Sequence, residues 1–164
     1  MRIAICPGSF DPITNGHLEV KQRAGALFDK VIVCVGVNPD KHPAFTAAER
    51  VKMIQTVCAD MPFVQVCTMD GLLVDFAARV GACAMIKGLR AVSAFEYEFQ
   101  MALANKRLNS QIETVFVTTD VKYMYLSSSL VKQIASFGGD ISDFVPAAVC
   151  SQVRARLCKN ERSV

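Results

Sequence analysis

Four segments of the chain carry side chains that bind anions, and each lies where a β-strand is expected to give way to a loop or helix. The first is Pro7-Gly8-Ser9-Phe10-Asp11-Pro12-Ile13-Thr14-Asn15-Gly16-His17. It lacks the glycine and lysine spacing of a Walker A loop and the G-x-G-x-x-G fingerprint, yet its parts suit a phosphate. Gly8 lets backbone approach closely, and Ser9 offers a hydroxyl and an amide. Thr14 can cap a helix whose free N–H groups and positive dipole end face an anion. His17, three residues after Thr14, shares that face on the first turn, and Gly16 leaves the face open.

The other three segments repeat this theme. Lys41 follows the second strand in a proline-bearing loop, Pro39-Asp40-Lys41. Lys87 and Arg90 flank Gly88-Leu89 at the end of the fourth, two cations and a glycine at a strand's carboxyl end. Ser127-Ser128-Ser129 opens the last core helix and supplies hydroxyls, N–H groups and a second dipole end. Taken singly, a Thr is a cap, a loop lysine is solvated, and a serine triplet marks a helix start. Together, at successive strand ends, they describe a site for a polyanion.

Positioning these groups requires a particular scaffold. Short β-branched runs at 3–6, 31–37, 63–68, 82–86 and 113–118 alternate with helical patterns at 14–27, 46–59, 72–80, 93–108, 127–137 and 146–158. Thr46-Ala47-Ala48-Glu49 and Ser93-Ala94-Phe95-Glu96 both have capping-box spacing, and Gly81 and Gly138-Gly139 act as stops. Five strands alternating with helices predict an α/β fold: a doubly wound, five-stranded parallel sheet with helices on both faces, within a single domain over 1–164 that ends in a helix at about 146–158. In such sheets ligands bind beyond the carboxyl ends of the strands, where strand order reverses. The strand order itself does not follow from the spacing.

Composition narrows the class further. Hydrophobic residues make up 52% of the 164, charged ones 20%, and the net charge is +3, too mild to predict nucleic-acid binding. No apolar run reaches membrane-span length and the N-terminal run is too soon broken for a signal peptide, so a soluble protein is expected, with no membrane or nucleic-acid partner. Seven cysteines without a C-x-x-C pair, most of them in apolar stretches such as Val33-Cys34-Val35 and Ala82-Cys83-Ala84, read as buried free thiols. With only two histidines, a protein-built metal centre is disfavoured.

The Pro7-to-His17 string resembles the T/H-x-G-H motif of the nucleotidyltransferase superfamily, and its longer form is similar to that of the bacterial phosphopantetheine adenylyltransferases. The likeness runs from about Arg2 to Cys158 and takes in Lys41, Gly88-Leu89-Arg90-Ala91, Phe95-Glu96-Tyr97-Glu98 and Ser127-Ser128-Ser129-Leu130-Val131-Lys132. The resemblance implies an enzyme that transfers AMP from ATP to 4′-phosphopantetheine by direct in-line displacement, giving dephospho-coenzyme A and pyrophosphate. It implies that His17 stabilises the α-phosphate in the transition state, that Lys41 meets the acceptor phosphate and the α-phosphate, and that Arg90 and Ser128 complete the catalytic set. It assigns ATP contacts to Ser9, Phe10, His17, Gly88, Leu89, Arg90, Glu98, Tyr123, Met124, Tyr125, Leu126, Ser127, Ser128 and Ser129. Ser9, Lys41, Leu73, Lys87 and Asn105 fall on the acceptor side. Arginine is more usual in the family at position 87, and lysine keeps the charge without the bidentate fork. Mg²⁺ bound mainly through ATP phosphates, a cytoplasmic location and a homohexamer built as a dimer of trimers are further implications.

The implied chemistry explains the missing residues as well. Two unit charges about 4 Å apart repel by about 4 kcal/mol at an effective dielectric of 20, so fixed cations and N–H donors are needed where two anions meet. A phosphate monoester is already ionised at neutral pH and needs no strong base, which fits the lack of a Ser-His-Asp or paired-carboxylate arrangement. Rival readings are adenylyl transfer to nicotinate mononucleotide or glycerol phosphate, and a non-catalytic nucleotide-binding module of similar fold. The module gives His17 and Lys41 no evident task.

Overall fold

Alternate side chains of the three central strands face opposite layers of core. Ala4 and Cys6, Val31, Val33 and Val35, and Ala84 and Ile86 point to one, while Ile5, Ile32, Cys34 and Met85 point to the other. Strands buried on both faces lose the polar alternation of a half-exposed sheet, and burying each Val or Ile contributes about 1.5–3 kcal/mol. The computed structural model describes residues 1–38, 41–90 and 92–158, without the side chains of 92–94. Pro39, Asp40 and Ala91 of the quoted motifs, and the Ser93 side chain, lie outside what is described.

The five strands are β1 (Ile3–Gly8), β2 (Lys30–Gly36), β3 (Val64–Met69), β4 (Ala84–Leu89) and β5 (Glu113–Thr118). They form one parallel sheet in the order β3-β2-β1-β4-β5. Between them and after them run α1 (Asn15–Gly25), α2 (Ala47–Val57), α3 (Leu73–Arg79), α4 (Val92–Leu108), α5 (Ser128–Ser136) and α6 (Ala147–Leu157). Buried side chains of α1, α2, α5 and α6 cover one face through Val20, Met53, Val131 and Val153; α3 covers the other through Val74, Phe76 and Ala77, beside α4. The doubly wound, parallel architecture is the expected one. Its order reverses between β1 and β4, which places the crevice at the ends of those two strands.

Most boundaries fall within two residues of expectation. The exception is β4, expected at 82–86 but running to Leu89, because Lys87 and Gly88 continue the ladder opposite Phe116 and Val117. Tertiary pairing overrides the low strand preference of lysine and glycine here. The capping box at Thr46 forms, whereas α4 begins at Val92, one residue ahead of the cap expected at Ser93. The thiols are free, but only Cys6, Cys34 and Cys58 are buried; Cys83 is exposed, because β4 starts one residue later. Among the described residues no helix is long and apolar enough to cross a membrane.

Candidate active site

Two helix starts, those of α1 and α5, converge on the carboxyl edge of the sheet, and their caps form locally. Thr14, wholly buried, accepts the His17 N–H on Oγ1 at 3.3 Å, while its own N–H donates to His17 Nδ1 at 3.1 Å. This is a capping box in which histidine replaces the usual glutamate. An Nδ1 that accepts leaves the imidazole proton on Nε2, the nitrogen free to donate elsewhere. Burial, and then the charges of Lys21 and Arg90, hold the His17 imidazole well below its ordinary pKa. The ring is therefore neutral at neutral pH. Ser127 caps α5 in the same manner, accepting the Leu130 N–H at 3.1 Å.

Between these helix starts lies a cleft of about 440 Å³ over the ends of β1 and β4. It is lined by Ser9, Phe10, His17, Lys41, Lys87, Gly88, Arg90, Glu98, Ser127, Ser128 and Ser129, all of them singled out in the sequence. A second hollow of about 460 Å³ opens toward the ends of β2 and β3, past Gly36, Met69 and Asp70. Ser9, Lys41, Ser128 and Ser129 line both, so Lys41 stands at the junction of two spaces.

The remaining sequence-singled residues are placed differently. Arg90 donates to the carbonyl of Leu126, which tethers the end of β4 to the segment leading into α5, and burial lowers the Arg90 pKa against the raising effect of Glu98. Leu126 is buried in the main core, Tyr123 packs where a Gly16 Cβ would point, and Met124 and Tyr125 are exposed, with Tyr125 edge-on to Phe144. None of these four lines the cleft, nor does Leu89. Leu73 packs with the α3-side core, and the buried Asn105 places Nδ2 3.8 Å from Met85 Sδ. Lys87 does not stand free: its Nζ lies 3.3 Å from Glu98 Oε2, a buried oxygen with no well-aligned hydrogen bond. Gly88 has a packing role beyond any ligand contact, since a Cβ there would come within 2.8 Å of Val20 Cγ2 and force that side chain of α1 to shift.

Several residues of the site escaped sequence reasoning. Asp11, buried inside the quoted string, accepts the N–H groups of Phe45 and Ala44 at 2.9 Å each and the Lys132 ammonium at 3.1 Å. It thereby ties the first connection to the start of α2 and to α5. Arg50 donates to the carbonyls of Ser9 at 2.8 Å and Gly36 at 3.1 Å, bracing the ends of β1 and β2. Ser128 Oγ donates to the Pro12 carbonyl at 2.7 Å, so this hydroxyl braces the loop as well. Lys21, buried one turn beyond His17, also escaped notice; its i, i+4 spacing from His17 was the available signal.

The chemistry available is thus a cationic, donor-rich crevice with a neutral histidine at a helix start. Among the described residues no group of three or more His, Cys, Asp or Glu could hold a metal ion. Comparison with known proteins agrees with this chemistry. The profile of the family described as cytidylyltransferase-like matches residues 5–134. The phosphopantetheine adenylyltransferase of Caldanaerobacter subterraneus subsp. tengcongensis is 54% identical over 160 residues, 98% of this chain and all of that one. That of Clostridium tetani is 55% identical over 153 residues, 93% of this chain and 96% of the other. Among solved structures, a candidate nicotinate-nucleotide adenylyltransferase from Vibrio parahaemolyticus superposes with a TM-score of 0.67 at 17% identity, over 95% of this chain and 96% of that one, a likeness of fold alone. The chain belongs to the cytidylyltransferase-like family and, within it, to the phosphopantetheine adenylyltransferases.

Proposed function

We propose that the chain, acting as a single domain, transfers the adenylyl group of ATP to the phosphate of 4′-phosphopantetheine. The observation that carries this reading is the position of Lys41 at the junction of two hollows, which leaves space for a second substrate beside a nucleotide. A pure nucleotide binder needs only one. An oxygen of the acceptor phosphate attacks the α-phosphorus as the bond to the β-phosphate oxygen breaks, and pyrophosphate leaves with that electron pair. His17 donates Nε2–H to an α-phosphate oxygen as charge builds there, Lys41 holds the entering and reacting phosphates together, and Arg90 with the N–H groups at the start of α5 holds the β- and γ-phosphates. Lys87, Leu73 and Asn105 belong to the acceptor side, and Glu98 to the nucleotide.

The donor set suits a metal carried in by the nucleotide. Two of the lining carboxylates are engaged, Asp11 by Lys132 and two N–H groups and Glu98 by Lys87, and the third, Asp70, belongs to no metal-holding cluster among the described residues. Mg²⁺ would then be held through triphosphate oxygens, where it neutralises charge on the leaving pyrophosphate. The α4 side chains Tyr97, Phe99 and Leu103 are exposed, apolar surface that fits burial in a homohexamer of two trimers. A cytoplasmic location accords with the free thiols and the substrates.

The test is pyrophosphate release from ATP and Mg²⁺ with 4′-phosphopantetheine, nicotinate mononucleotide or glycerol phosphate as acceptor. Turnover is expected with the first alone. A folded protein inert toward it, or faster with either of the others, sinks the reading.

A further inference from the structure

Helix α1 turns a lysine into the protein. Lys21 has no exposed surface and ranks among the largest fully buried side chains, although an ammonium taken from water is costly unless paired. Among the described ion pairs none involves it. Its Nζ donates to the carbonyl of His17 at 3.2 Å and lies 4.0 Å from the centroid of the Phe10 ring. That ring in turn meets the His17 imidazole edge-on, 5.2 Å between centroids, and Phe10 is held at φ +49°, a strained backbone for a residue with a bulky side chain. A Cβ on Gly8 would strike the same ring at 2.7 Å, so Phe10 is enclosed on that side too. Lysine, phenylalanine and histidine thus form one packed unit at the floor of the cleft.

We propose that Lys21 is a positioning residue for His17, its buried ammonium keeping the imidazole in the neutral, Nδ1-accepting form that aims Nε2–H into the cleft. The capping box explains why this matters. A proton on Nδ1 would face the Thr14 N–H at 3.1 Å, donor against donor, and the ring would leave the helix start. Burial is the larger opponent of that second proton, and a fixed positive charge one turn away in a poorly screened interior adds to it. The other groups around the unit are Cys6 from β1 and Cys58 after α2, which face Lys21, and Arg90 after β4, which faces His17. Lys41 and the Lys87–Glu98 pair line the same cleft. Burial lowers the pKa of Lys21 itself, and the two thiols oppose that shift. The His17 pKa is depressed, so its contribution to stability is present above about 6.5 and is lost as pH falls through the lowered folded value.

The experiment is NMR titration of the His17 imidazole in wild type, Lys21→Met and Lys21→Gln. Methionine fills the same apolar space, and glutamine keeps an N–H donor for the His17 carbonyl; neither carries charge. Both variants should titrate His17 at higher pH than wild type does, and the acid limb of the turnover profile should move up with it. Turnover should fall about tenfold or more, the cost of a loosened reacting group, with nucleotide affinity nearly unchanged. An unaltered His17 titration in either folded variant overturns the proposal. The turnover arm rests on the proposed function, but the titration needs no substrate, so the two ideas fail separately.

Discussion

The two sides of the cleft are held in place by different means. On the proposed nucleotide side the groups are anchored to backbone: His17 to Thr14, Ser127 and Ser128 to Leu130 and Pro12, Arg90 to the Leu126 carbonyl. On the proposed acceptor side Lys87 is held by one ion pair to a neighbouring helix, Lys41 sits exposed in a loop, and Leu73 and Asn105 are packed into the core. Preorganised donors suit a charge that appears only at the transition state. Groups that must first recognise a substrate can be held by an ion pair the substrate replaces. The difference teaches that the proposed nucleotide side is fixed to backbone, whereas the two lysines proposed to meet the acceptor, Lys41 and Lys87, are held by no backbone partner of that kind among the described residues.

The severest test of that contrast is His17→Ala. Removing a preorganised donor to a developing charge costs about 10²–10³ in kcat, so turnover should fall by that order while the Kd for ATP changes only a few-fold. Single-turnover rates and equilibrium ATP binding separate the two. Equal losses in both would make His17 an ordinary ligand contact, and the fixed side would lose its distinguishing role.

Next in size is Lys87→Met. A charge-assisted hydrogen bond contributes about 1.5–3 kcal/mol, so the KM for 4′-phosphopantetheine should rise by about tenfold or more, with a smaller rise for ATP. Steady-state kinetics with each substrate varied in turn decides it. An equal rise in both KM values would show that freeing Glu98 disturbs the nucleotide as much as the acceptor, and the two sides would count as one.

What the sequence discloses follows the same division. Caps depend on three or four consecutive residues, so Thr14-to-His17, Thr46-to-Glu49 and the start of α5 were all legible before any tertiary structure. Sheet layering was equally legible, because two-sided burial leaves near-continuous apolar runs such as Val31 to Val35. Strand order was not, since nothing local says that β4 pairs with β1. The same limit hid Asp11, whose partners lie 33, 34 and 121 residues away, and the extension of β4 through Lys87 and Gly88, which rests on pairing with β5. Lys21 was hidden differently: by type alone a lysine belongs on the wet face of a helix, and only the packing of α1 turns it inward. Tyr123 to Leu126 read as nucleotide contacts by resemblance, yet of these the Leu126 carbonyl binds Arg90 and its side chain fills core, a division that a motif string does not encode.

The smallest expected effect distinguishes structure from ligand within the fixed side itself. The Ser127 hydroxyl accepts the Leu130 N–H at 3.1 Å, so Ser127→Ala removes a helix cap rather than a phosphate ligand. Loss of such a cap costs about 1 kcal/mol, which for a chain of this length lowers Tm by about 2–4 °C. The helix dipole and remaining N–H groups of α5 survive, so the KM for ATP should change less than threefold, about 0.6 kcal/mol at most. Thermal melting beside steady-state kinetics measures both. The opposite pattern, an unchanged Tm with ATP binding weakened tenfold, would mean that the hydroxyl turns from Leu130 to the nucleotide on binding. Part of the side assigned here as fixed would then be exchangeable, and the contrast between the two halves would narrow to His17 and Arg90.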